Sequence, residues 1–147
     1  MATHWVADHR VGEDSDDLTR WLTGLEGCPP VMSALLARCT NPSHGDEQPT
    51  WFYVEGDPSG AIARRRCLAC GGVKHIHDSE AHWTHPPMYC CTTCGQSMFE
   101  VGAGLHVEAG EVTWMAIGVR CVGCGRLDGL TDMNVPNLTV DEVHDLI

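Results

Sequence analysis

Four short segments of this chain repeat one design: Cys39-x4-His44-Gly45, Cys67-x2-Cys70-Gly71, Cys91-x2-Cys94-Gly95 and Cys121-x2-Cys124-Gly125. Each sets two soft ligand atoms a tight turn apart and closes on a glycine. Two intervening residues let both sulfurs reach one tetrahedral ion at about 2.3 Å. The glycine takes positive φ at little cost, so the backbone curls and its N–H groups face the sulfurs. One such turn is half a site. Taken in chain order, Cys39, His44, Cys67 and Cys70 make a first site, and Cys91, Cys94, Cys121 and Cys124 a second. His75 and His77 compete for the fourth place in the first site, but His44 completes the missing half and precedes Gly45. Cys90 breaks the two-residue spacing and is a spectator, and Cys28, ahead of Pro29 and Pro30, is expected as a buried thiol.

Nine cysteines are an odd number, which argues against a framework of disulfides alone. Residues 1–10 include His4, Trp5, Asp8 and His9 and lack the apolar stretch of a secretory signal. No run reaches the roughly 18 apolar residues of a membrane span. A cytoplasmic, membrane-free protein is the expectation, and there paired cysteines bind metal more often than each other. Two Zn2+ ions fit the donor set. Iron, which takes the same four-thiolate geometry, is the alternative.

Leu18, Trp21, Leu22 and Leu25 fall on one helical stripe, with Ser15 or Asp16 as cap and Gly24, Gly27 and Pro29 at the end. Met32, Leu35, Leu36 and Cys39 repeat that spacing after Pro30 and predict a second helix. Segments 51–55 and 61–66 predict a hairpin about Asp57-Pro58-Ser59-Gly60, which carries type I turn preferences. Three strands are expected at 97–101, 105–108 and 112–120, split by glycines. Thr139 and Glu142 have capping-box spacing, and Val140, Val143 and Ile147 share a face of a short terminal helix.

Arg66-Cys67-Leu68-Ala69-Cys70-Gly71 is echoed 54 positions later by Arg120-Cys121-Val122-Gly123-Cys124-Gly125, which suggests a duplicated module. With its knuckles and intervening strands the chain resembles the zinc-ribbon family over 39–77 and 91–132. That resemblance implies metal held between short antiparallel strands, and it says little about function, since ribbons serve many roles. The expected fold class is α+β: an amino-terminal helical pair over 1–38, a ribbon at 39–77, a His-rich linker at 78–90, a second ribbon at 91–132 and a tail helix at 133–147.

Net charge is −11, which disfavours broad binding to polyanions. Five of the nine basic residues, Arg38, Arg64, Arg65, Arg66 and Lys74, lie between 38 and 77, so that half is the one to meet a nucleic acid. Trp51, Phe52 and Tyr53 across the hairpin would add stacking. His106-Val107-Glu108 ahead of Cys121-x2-Cys124 echoes a zinc-deaminase pattern, yet Arg120 stands where that pattern has proline. A site closed by four thiolates also has no position for a catalytic water. The leading expectation is a non-enzymatic, zinc-stabilised interaction protein, an adaptor or regulator contacting another protein. A nucleic-acid-binding or transcription-associated ribbon using Arg64–Arg66 comes second, and a metalloenzyme with an unrecognised site third. No residue is assigned a catalytic or organic-cofactor role.

Overall fold

The computed structural model describes residues 4–6, 9–25, 29–39, 50–57 and 59–147. Its strands are β1 His4–Val6, β2 His9–Val11, β3 Ser33–Leu36, β4 Phe52–Asp57, β5 Ile62–Cys67, β6 Val73–His75, β7 Phe99–Glu108, β8 Glu111–Cys121 and β9 Arg126–Leu138. Two helices join them, α1 at Ser15–Thr23 and α2 at Val140–His144, with a single 3-10 turn at Ser79–His82. All nine strands belong to one sheet in the order β1-β2-β9-β8-β7-β4-β5-β6, and β3 also pairs with β7. Every pairing is antiparallel. The architecture is nearly all strand, which corrects the expected α+β class and its amino-terminal helical pair.

The correction turns on β3. Ala34, Leu35 and Leu36 favour helix, but their backbone pairs with Gly104, Ala103 and Gly102 of β7. Ala34 and Leu36 pack against the α1 cluster, while Leu35 and Ala37 pack into the main core. Both faces are apolar, so no alternation marks the strand. A short apolar run of this kind cannot be told from a helix by periodicity.

The centre is built from β7 and β8, whose two faces differ in side-chain size. Phe99, Val101, Ala103 and Leu105 of β7 and Met115, Ile117, Val119 and Cys121 of β8 are buried in one core. The opposite face carries glycine, with Gly102 and Gly118 directly paired. This is the seat of α1. A Cβ on Gly118 would stand 2.7 Å from Leu22 Cδ2, and one on Gly102 3.0 Å from Leu22 Cδ1. Leu18 and Leu22 are fully buried there. Helix α1 starts one residue ahead of the expected caps, because Asp14 accepts the Asp17 N–H at 3.0 Å.

The β4–β5 hairpin closes where expected. Asp57 Oδ1 accepts from Ser59 N at 3.0 Å and from Ser59 Oγ at 2.7 Å, and Gly60 N donates to Asp57 O at 3.2 Å. Phe52 and Val54 of this hairpin join the main core. So do Val143 of α2 and Ile147, and α2 carries the predicted Thr139–Glu142 capping box. Two of the expected strands, 97–101 and 105–108, are parts of the single strand β7. Strand β9 was not expected at all.

Candidate metal centres

Each x2 knuckle hangs from the same kind of junction. The first cysteine ends a strand or opens a turn, and the glycine after the second takes positive φ: +73° at Gly71, +78° at Gly95 and +81° at Gly125. Those three glycine N–H groups donate to the carbonyls of Cys67, Cys91 and Cys121 at 2.8 Å in every case. The turn therefore needs a residue free of Cβ strain at that position. Only one local conformation is used three times.

The knuckles of Cys67 and Cys121 also share their strand context. Cys67 pairs with Phe52, and Leu68 N donates to Trp51 O at 3.0 Å. Cys121 pairs with Phe99, and Val122 N donates to Met98 O at 3.0 Å. The chain has only two phenylalanines, and these two face each other where β4 meets β7. The repeated hexapeptide is matched by a repeated strand pair.

The topology gathers the sulfurs into two groups. The Sγ atoms of Cys91, Cys94, Cys121 and Cys124 all lie within 4.8 Å of one another, and so do those of Cys39, Cys67 and Cys70. Cys91 and Cys124 are 3.6 Å apart, Cys94 and Cys121 3.5 Å, and Cys39 and Cys70 3.6 Å. A tetrahedron with metal–sulfur bonds of about 2.3 Å has sulfur–sulfur edges of about 3.8 Å. A disulfide would instead need about 2.05 Å. None of the eight cysteines among the described residues is in a disulfide. The donor set and its spacing therefore fit a metal ion at each group. His44 and Cys28 lie outside the described residues. Cys90 is exposed and in neither group.

Hydrogen bonds around the second group act on its thiols unequally. Burial pushes the Cys91 thiol up, but N–H donation from Cys94 and Thr93 and contact with the Cys124 and Cys121 sulfurs outweigh it, giving about 7. Cys124 is driven up to about 12, first by burial and then by the neighbouring sulfurs. Cys121 also rises, chiefly through burial. Four sulfurs at this spacing hold several negative charges only beside a cation. Across the group, Arg126 Nη1 donates to Thr93 Oγ1 at 2.9 Å and ties one knuckle to the other.

Arg65 borders the first group and was not singled out for it. It is buried in β5, its guanidinium 4.5 Å from the Phe52 ring centre. Nη2 donates to Arg38 O at 3.2 Å, next to Cys39, and Nε donates to Ile147 O. Burial lowers Arg65 from the usual arginine range, and the nearby charges of Cys39, Cys67 and Cys70 oppose that shift. Strand alternation does put Arg65 on the face of Cys67, which was a readable signal. Its neighbour Arg64 points outward, forming a two-bond pair with Glu55 at 3.0 and 2.6 Å and lying over Trp83. His75 packs edge-on against the same Trp83 ring. His106, of the deaminase-like triplet, bonds Pro30 O at 2.8 Å and Glu108 at 3.0 Å, and belongs to neither sulfur group.

Fold and sites together define an antiparallel sheet protein with two cysteine clusters that could hold metal, compatible with zinc-ribbon-like sites. No family model, curated protein or solved structure matches the chain. Among the described residues, no helix is long and apolar enough to cross a membrane.

Proposed function

We propose that this chain is a zinc-binding, non-enzymatic interaction protein of the zinc-ribbon type, a protein-binding adaptor or regulator. The observation that carries the reading is the gathering of Cys91, Cys94, Cys121 and Cys124 into one tetrahedron-sized group. Those four hold one Zn2+, and Cys39, His44, Cys67 and Cys70 hold the other. A four-thiolate ion is closed to water, so its contribution is to the fold. Described cysteines that form no disulfide suit a reducing, cytoplasmic setting. With Arg64 engaged by Glu55 and Arg65 buried, Arg66 alone of the three stays exposed, which favours a protein partner over a polyanion.

Elemental analysis tests the metal. The expected result is two zinc ions per chain, and a coloured protein with sulfur-to-iron absorption would replace zinc by iron. Cys121→Ser should remove one ion and lower stability severely, because binding and folding energy are coupled at such sites. Cys90→Ser should leave the metal content unchanged. A folded, metal-free preparation of the wild type would overturn the reading.

A further inference from the structure

The interaction reading leaves open where a partner sits, and the outward face of β4, β5 and β6 supplies a candidate. Strand register sets side chains there in adjacent rows. Tyr53, Arg66 and Val73 are paired across the three strands, and Glu55, Arg64 and His75 form the next row. Met88 bridges to Glu55 from the far side of β4. Trp51 lies two residues before Tyr53, with its carbonyl bonded to Leu68 beside the Cys67 knuckle. Paired residues point to the same side of a sheet.

The described residues expose four large apolar side chains: Met32 at 57%, Met88 at 47%, Val73 at 43% and Trp51 at 37%. Three of the four fall on or beside this one face. Single exposed apolar residues need no explanation, but a cluster rimmed by polar groups marks a contact surface. Its charge is also out of keeping with the rest of the molecule. Arg64 and Arg66 against Glu55 give the face one net positive charge on a chain of net −11. Arg64 is already held by Glu55, whereas Arg66 is exposed and makes no ion pair among the described residues. An aromatic and aliphatic surface around one available guanidinium fits a carboxylate flanked by apolar side chains, which arginine binds in two-bond geometry.

We propose that the face formed by Trp51, Tyr53, Arg66, Val73 and Met88 docks a partner-protein segment bearing an acidic residue beside apolar ones. The inference rests on the interaction reading and deepens it. Acidic partners would be repelled by the rest of a molecule of net charge −11, so the face also selects orientation.

Selection of short random peptides on the zinc-loaded full chain tests the proposal, with fluorescence anisotropy on the peptides recovered. Acidic, apolar peptides are expected. Val73→Asp and Arg66→Glu should each weaken them by about tenfold or more, the loss of one anchor residue. Met32→Asp, which changes the exposed apolar residue lying elsewhere, should leave affinity within about twofold, as for a residue outside the contact. Zinc content and thermal unfolding of each variant separate lost binding from lost fold. Peptides that bind all three variants equally would overturn this face while keeping the interaction reading. Failure to recover any peptide would overturn both. A single-stranded oligonucleotide that binds in a salt-sensitive way and is lost with Arg66→Glu would replace the protein partner by a nucleic acid.

Discussion

Cys91 and Cys124 face each other at 3.6 Å, yet their thiols are displaced in opposite directions, to about 7 and about 12. In the metal-free cluster at neutral pH, Cys121 and Cys124 therefore keep their protons. A metal ion must displace them. Affinity then rises with pH and falls as acid returns the protons, and the stability that the ion confers on the native state falls with it. Chelator competition across the neutral range should show affinity changing by roughly ten- to hundredfold per pH unit, a decade for each proton displaced. A flat profile would mean the thiols are already ionised. At this scale the sequence was most informative. Ligand spacing and trailing glycines are local requirements, so Cys67, Cys70, Cys91, Cys94, Cys121 and Cys124 could be picked out and paired without a fold. Arg65 was read only as part of a basic segment; alternation put it on the face of Cys67, but its contacts with Arg38 and Ile147 come from distant segments.

At the scale of elements, the packing of α1 depends on what the sheet lacks. Leu22 stands closer to Gly118 than a Cβ there could come without a shift, and it leaves one on Gly102 little room. Gly118→Val should lift the helix and cost about 1–3 kcal/mol, as overpacking does, measured by urea unfolding. Zinc content should be unchanged, since Gly118 faces α1 while Cys121, three residues on in the same strand, faces the main core. Leu22→Ala opens a cavity at the same place and should cost about 2–5 kcal/mol. The amphipathic stripe of α1 was legible, because its polar face meets water. Strand β3 was not, being apolar on both faces. Strand β9 was hidden differently. Asp128, Gly129, Asp132, Asn134, Pro136 and Asn137 are residues that strands disfavour. Leu127 packs with α1, and a register shift opposite Ile117 and Gly118 breaks the alternation so that Leu130 and Met133, three apart, share the main core. Pro136 is tolerated because, among the described residues, β9 pairs with β2 only at Arg126 and Leu127 and its outer edge has no strand partner beyond them.

For the whole molecule, the decisive element is the contact between the two cysteine-bearing hairpins. The similarity of the two hexapeptides was visible, but the joining of their strands into one sheet was not, because nothing local in β4 or β7 specifies their pairing. Phe52 and Phe99 are both fully buried at that meeting point, and each sits opposite the leading cysteine of a knuckle. Replacing either ring with alanine should cost about 3–5 kcal/mol. The more telling measurement is metal release. Cys121→Ser should empty one centre, whereas Phe52→Ala should speed zinc loss from both.

Antiparallel pairing of Phe52 with Phe99 places a local half-turn axis between the rings. Rotation about it carries the approach to one sulfur nest onto the approach to the other. Ions held in the two nests would share one hinge pin: a lost ligand frees one of them, but whatever shakes the pin would be felt at both ends.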